Sequence, residues 1–416
     1  MNFNDTPEEA AFRKEVRAWI DANAPRHLET ALRQVRLGSL ELRGADIIAE
    51  SKAWQKRKFD AGWACLHWPA EYGGRGATPI ERVIWQQEEG IYALLSAIFI
   101  IGQGMCGPTL LVHAAEKEKR RYLPPIASGE EIWCQLFSEP AAGSDLAGLC
   151  TRAERDGGDW LINGQKIWTS VAQHADYGLL LARTNPELPK HKGLAMFFLS
   201  MRSPGVEIRP IKQADGKSDF SEVFFTGVRI PDTQRLGKVG EGWQVSLTTL
   251  MHERLSIGLD MRTGFPELFE FCCRSTSPDG RPLIEDRAVR ARLSTWAVRT
   301  SGLKYGSLRA ISALSKGETP GPEHSIGKLV AAGMMQEIAA FALDLQGEAG
   351  AILDPSHAAF AAEFQDLLLR APANRLAGGT DEILRNIIAE RVLGLPGDIR
   401  VDKGVPFREV PTTEGR

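Results

Sequence analysis

The hydrophobic period changes twice along the chain, and each change marks a domain boundary. Up to about residue 131, apolar residues recur at helical spacing. The first helix starts at a capping box of Thr6 and Glu9 with Pro7 in the first turn, and carries Phe12, Val16, Trp19 and Ile20 on one face. From Ile132 the period shortens to that of strands. "YGLLLART", "GLAMFFLSM", "GVEIRPI" and "SEVFFTGVRIP" are short β-prone runs separated by Pro, Gly and Asn. "DWLINGQKIW" reads as two such runs joined at Asn163-Gly164, which predicts a hairpin there. After "GKVGEGW" helical spacing returns, and the last helix carries Leu384, Ile388 and Val392 before Gly394 and Pro396. The expected organisation is an all-helical domain over 1–131, a β-domain over 132–235, a helical bundle over 236–396 and a polar tail over 397–416. The fold class is mostly α with a central β-domain.

Composition narrows the function class. With 416 residues, 43% hydrophobic and 25% charged, the chain is globular and too long for one core. A formal charge of −3 argues against a general electrostatic grip on nucleic acid or anionic membrane. The most apolar run, "IYALLSAIFIIG", is too short to cross a bilayer, so membrane insertion is not expected. Six cysteines occur without a C-x-x-C pair, which fits reduced thiols and no metal site. The polar, acidic N-terminus lacks the pattern of a secretory signal, and the expected location is cytoplasmic.

Three stretches have the chemistry of a site. "LFSEPAAGSDLAG" lies where helices give way to strands; Gly143 and Ser144 permit close backbone approach to a ligand, with the Ser138 and Ser144 hydroxyls as donors. An ordinary Pro/Gly turn explains it equally well. "GQKIWTS" sets the flat ring of Trp168 beside Thr169 and Ser170, a wall for a planar heterocycle or simply a core indole. "GGTDEILRNIIAERVLG" starts a helix after Gly378-Gly379-Thr380, with its first N–H groups open to an anion or carbonyl.

Taken in this order, these stretches resemble the acyl-CoA dehydrogenase family, with "WPAEYGGRG" and "VGEGW" as further matches. The resemblance extends from the first helix to Leu395. It implies a β-barrel-like middle domain, a C-terminal four-helix bundle, FAD as cofactor and an acyl-CoA substrate. It also implies electron transfer to an electron-transfer flavoprotein and a homo-oligomer, either dimer or tetramer. Carried over residue by residue, Phe137 and Ser138 hold the flavin ring, Trp168 covers one face, and Thr169 and Ser170 reach its polar edge. Gly143 and Ser144 lie beside the cofactor and the CoA arm, while Gly347, Thr380 and Glu382 meet other parts of FAD.

Many members carry the catalytic Glu immediately before the Gly-Thr of the closing segment, where this chain has Gly378. Gly378 can donate an N–H to substrate but cannot abstract a proton. A minority of the family supplies the base from an E-R-L segment of a bundle helix, which "LMHERLSIG" resembles. The resemblance therefore assigns Glu253 as the base that takes the α-proton while the β-hydride passes to flavin N5, and Arg254 as a substrate-binding group. Leu247, Leu250, Arg254, Ile257 and Met261 follow helical spacing, with Glu253 interleaved on the same stripe. His252 is expected to face elsewhere. Two departures concern a neighbouring subunit. "CRSTSPDGRP" replaces an R-x-x-F-G segment, and "DLQGEAG" replaces a Gln-rich one. An acyl-CoA oxidase, a flavin monooxygenase of the same fold and a non-catalytic subunit of a heteromeric enzyme are the competing readings.

Overall fold

A computed structural model describes residues 4–33, 44–257, 263–318, 321–397, 399, 402 and 404–410. They form two compact units, one built from residues up to 256 together with the C-terminal segment, the other from the remainder up to 397.

In the first unit, helices α1 (Pro7–Asn23), α2 (Glu29–Leu32), α3 (Ile47–Asp60), α4 (Pro79–Glu89), α5 (Gly107–His113) and α6 (Glu116–Ser128) precede the sheet. Thr78 opens α4 with a complete capping box closed by Glu81. Eight strands follow: β1 (Trp133–Leu136), β2 (Arg152–Asp156), β3 (Asp159–Ser170), β4 (Tyr177–Arg183), β5 (Leu194–Ser200), β6 (Val206–Ile211), β7 (Phe220–Pro231) and β8 (Arg235–Leu236). The strand order is β6-β7-β3-β2-β4-β5-β8, with β1 parallel to β4. Both faces of β4 and β5 are covered. Leu179, Leu181, Met196 and Phe198 pack against Trp68, Leu110, Leu123 and Ile126, while Leu180, Ala182, Phe197 and Leu199 pack with Ile162, Val223 and Val228. This is why both strands read as unbroken apolar runs.

Two expectations are corrected here. Asn163-Gly164 is not a hairpin: β3 runs through it, and the turn lies at Gly157-Gly158, where Asp156 pairs with Asp159. Gly164 marks a strand irregularity, with φ 150° and Thr151 so close that a Cβ would fall 2.6 Å from its hydroxyl. The C-terminal residues are not simply a polar tail. Phe407 is buried, and its N–H donates to Leu188 O at 3.0 Å.

Helix α7 (Gly242–Ile257) closes the first unit. Its first residue is pressed onto β5, since a Cβ on Gly242 would lie 2.6 Å from Ala195 backbone.

The second unit contains α8 (Phe265–Arg274), α9 (Arg287–Ser315), α10 (His324–Gln346), α11 (Glu363–Leu376) and α12 (Asp381–Ile387). Leu268, Phe271, Leu293, Trp296, Met334, Ile338, Ala342 and Phe364 form its core. Residues Ser325–Ala351 are long and apolar enough to cross a membrane. The burial of Met334, Ile338 and Ala342 in the bundle core accounts for that composition.

The described cysteines contain no disulfide. Burial pushes Cys65 and Cys134 up to about 12 and Cys272 to about 11, and raises Cys106 well above its ordinary value. Cys150 and Cys273 are exposed.

Candidate active site

The loop between β1 and β2 carries Phe137, Ser138, Gly143 and Ser144, and it is tied down at both ends by ionic groups. Glu139 accepts from Cys150 N at 2.5 Å, Thr151 N at 2.9 Å and Lys166 Nζ at 2.8 Å. Lys166, buried in β3, also donates to Phe137 O at 3.0 Å. Burial penalises the Glu139 carboxylate, but Lys166 and the two backbone N–H groups outweigh it and hold the carboxyl below its usual range. Ser138 O accepts from Ile167 N at 2.9 Å, which fixes the loop against β3. At the far end Asp145 accepts from Lys190 Nζ at 2.8 Å, while Arg183 donates to Ala147 O at 2.6 Å and Leu149 O at 3.0 Å. Between these anchors Gly143 and Ser144 are exposed, with open space where a Gly143 side chain would stand.

Beyond Lys166, β3 turns an aromatic ring outward. The pairing of β3 with β7 is irregular between Lys166 and Thr169, and Trp168 there has φ 59°. A left-handed tryptophan is strained, and the ring is 56% exposed although it touches Phe220 edge-on at 6.1 Å. A bare indole held at such a bulge fits the face of a planar cofactor. Thr169 departs from the expected arrangement. Its side chain is buried and its Oγ1 has no hydrogen-bond partner. Strand alternation carries it away from the surface of Trp168, leaving half-buried Ser170 as the hydroxyl nearer that surface.

Up to Thr249, the buried face of helix α7 consists mainly of small and hydroxylated residues. Gly242, Val245, Ser246 and Thr249 are buried, whereas Leu247 is exposed and Leu250 half-buried. Small and hydroxylated residues let α7 approach closely. Thr249 Oγ1 shares a 2.9 Å hydrogen bond with Thr109 of α5, and Thr248 Oγ1 lies 2.9 Å from His113 Nε2. Glu253 follows Thr249 by four residues on this inner face and is half-buried. The side chain of Arg254 lies outside the described residues.

A cluster absent from the sequence reading surrounds this turn. His252 is half-buried and lies within electrostatic reach of Arg82 of α4 and of His67. Burial, reinforced by Arg82 and His252, pushes His67 down to about 3, and burial also lowers His252. Both imidazoles are therefore neutral at pH 7. His67 Nε2 is buried without a partner. Only spacing of the kind "CLHWPAEYGG" with a later E-R-V on a helix could have hinted at this, because the three residues meet through tertiary folding.

The second unit holds the remaining candidates. Gly378 and Gly379 have φ 63° and 97°, a conformation side chains resist. Thr380 then caps α12, its hydroxyl accepting from Ile383 N at 3.2 Å. Arg375 bridges Asp381 at 2.6 Å and Gln336 at 2.8 Å, and Lys328 donates to Gly379 O at 2.6 Å. Glu382 and Gly347 are exposed. Thus Glu253 shares a unit with Phe137, Ser138, Gly143, Ser144, Trp168, Thr169 and Ser170, while Gly347, Gly378, Thr380 and Glu382 belong to the other. Among the described residues no group of His, Cys, Asp or Glu could hold a metal ion.

Comparison with known proteins identifies the ancestry. The chain matches the N-terminal, middle and C-terminal domains of acyl-CoA dehydrogenase at residues 6–130, 134–228 and 240–393. It is 37% identical over 393 residues to acyl-CoA dehydrogenase IpdE1 of Mycobacterium tuberculosis, covering 94% of this chain and 98% of that one. Among solved structures, the Tcur3481-Tcur3483 steroid ACAD is 27% identical with a TM-score of 0.77, over 96% of this chain and 100% of that one. The ChsE4-ChsE5 complex from Mycobacterium tuberculosis is 27% identical with a TM-score of 0.76, at the same coverage. The mostly helical fold with a middle sheet domain is that of these enzymes, whose family is FAD-dependent. The chain belongs to the acyl-CoA dehydrogenase family and is an oxidoreductase of that type.

Proposed function

We propose that this protein uses FAD to remove two hydrogens from the α- and β-carbons of a bulky, steroid-type acyl-CoA, with Glu253 as the base. The observation that carries the reading is the placement of Glu253 on the inner face of α7, one turn beyond the Thr249–Thr109 contact, while the position used by many relatives is a left-handed Gly378. Abstraction of an α-proton needs a carboxylate within reach of that carbon, the role this reading gives Glu253.

The residues of the first unit fit FAD. Trp168 offers an exposed ring, Ser170 a hydroxyl beside it, and Gly143 an open backbone position. Phe137 and Ser138 flank the same loop, Thr380 and Glu382 the cap of α12. Bound FAD supplies the hydride acceptor. The chain's own contribution is to hold the substrate's α-proton at Glu253 and to keep water from the developing charge.

The steroid-type substrate rests on the relatives' names and on a base located on α7. A pairing with a second, different chain of the family, as in the ChsE4-ChsE5 complex, is supported by the segment "CRSTSPDGRP". Ser277 N donates to Arg281 O at 2.8 Å, Arg281 pairs with Asp279 and Arg274 with Glu270 at 2.6 Å, so this turn folds on itself. An electron-transfer flavoprotein is the acceptor in this reading.

Anaerobic mixing with a panel of CoA thioesters tests it. Bleaching of the flavin by steroid-derived but not short linear acyl-CoA is expected, and Glu253→Gln should bind FAD yet remain unbleached. Full bleaching of that variant would overturn the assignment. Rapid peroxide formation in air would point to an oxidase, and a wild-type chain that purifies colourless in complex with its partner would point to a non-catalytic subunit.

A further inference from the structure

The segment beyond the last family match, which ends at residue 393, makes contacts that the family assignment does not explain. Residues 404–410 run along the turn between β4 and β5. Pro406 pairs with Pro189, Phe407 N donates to Leu188 O at 3.0 Å, and Arg408 N donates to Pro186 O at 3.1 Å. Arg408 also pairs with Glu187 at 2.9 Å. The turn itself is closed tightly, since a Cβ on Gly193 would lie 1.9 Å from Asn185 O.

Two buried cations transmit these contacts to the loop at 137–150. Lys190, with a side chain 4% exposed, is shared between Asp145 of that loop and Asp402 of the C-terminal segment. Arg183, also buried, directs its planar fork to Leu149 O, Ala147 O and Lys190 O, while Phe407 lies over its guanidinium at 3.3 Å. A buried ammonium with one carboxylate removed, or a guanidinium with its aromatic cover removed, holds its remaining partners less rigidly.

We infer that Asp402 and residues 404–410 are a strap that fixes the flavin-facing loop, with Asp402 and Phe407 acting as positioning residues through Lys190 and Arg183. The inference rests on the FAD reading for its consequence, but not for its geometry. The strap keeps Asp145, and with it Ser144 and Gly143, in place. A loop fixed before the ligand arrives loses less conformational freedom on binding.

Full-length Asp402→Asn, Phe407→Ala and Asp402→Glu variants provide the test, each by two measurements. Amide hydrogen exchange of the ligand-free protein is compared at residues 146–151 and in β5, which serves as the internal standard. FAD affinity is measured by equilibrium dialysis. Asp402→Asn and Phe407→Ala should each speed exchange of the loop amides and weaken FAD by about tenfold, a change of ~1.4 kcal/mol, with β5 unchanged. Asp402→Glu should restore most of both. Loop exchange and FAD affinity equal to wild type in both variants would overturn the strap, and so would equal acceleration throughout β5. If wild type itself binds no FAD, the flavin reading fails, and the exchange comparison still decides the strap.

Discussion

Two glutamates of the first unit illustrate how differently one side chain can be used. Glu139 sits inside the most recognisable motif of the chain, yet it is saturated: two backbone N–H groups and Lys166 occupy its carboxylate. Glu253 lies in the shorter match "HERL", half-buried beyond two threonines that pin the helix. The first is held ionised and acts as a fastener. Under the proposed function the second takes a proton. Strong donors hold a carboxylate in its charged form, so prominence in a motif does not make Glu139 a base.

The largest effect that would sharpen this contrast is kinetic. Glu253→Gln should slow flavin reduction by about 10²- to 10⁴-fold while FAD content and melting temperature stay near wild type. Glu139→Gln should do the reverse, lowering stability and FAD retention more than the rate per bound flavin. Equal kinetic losses in both would erase the distinction.

Next comes Lys166→Met, which leaves Glu139 buried without its cation. A loss of about 3–5 kcal/mol is expected in denaturant unfolding. A variant as stable as wild type would show that Glu139 does not depend on this pair.

Acidification is the third probe. Glu139 has a depressed folded pKa, so its stabilisation is present above the ordinary carboxylate range and disappears as pH falls through the lowered value. His67 acts earlier. With a folded pKa of about 3 against an ordinary 6.5, the unfolded chain takes up the proton first, and stability declines as pH falls below 6.5. His67→Asn should flatten that part of the pH–stability curve, as read by thermal melts between pH 7 and pH 5. An unchanged slope would remove His67 as its source.

The smallest effect belongs to the anchor of α7. Thr248→Val removes the 2.9 Å contact with His113 and should cost about 0.5–1.5 kcal/mol. Stability equal to wild type would leave the Thr249–Thr109 contact as the one that seats the helix.

The helix–sheet–helix order was legible because hydrophobic period follows burial, and both faces of β4 and β5 being covered left continuous apolar runs. Of the candidate site, only stretches contiguous in sequence, such as "FSEPAAGSD" and "QKIWTS", could be picked out by motif. Three things were not legible. The hairpin was misplaced because Asn-Gly serves equally in a turn and in a strand irregularity, and Thr151 against Gly164 selects the latter. The buried Ser246 and Thr249 of α7 were missed because close helix packing favours small residues over the leucines that catch the eye. Lys166 was overlooked although a lysine flanked by strand residues signals a buried partner. Its partner, 27 residues away, is fixed only by folding.

The distribution of thiols has a practical consequence. Four of the described cysteines are shielded and hard to deprotonate, whereas Cys150 in the first unit and Cys273 in the second face solvent. The native chain thus carries one solvent-facing thiol per unit. A donor and an acceptor dye attached there would report the separation of the two units, molecule by molecule, without any engineered cysteine.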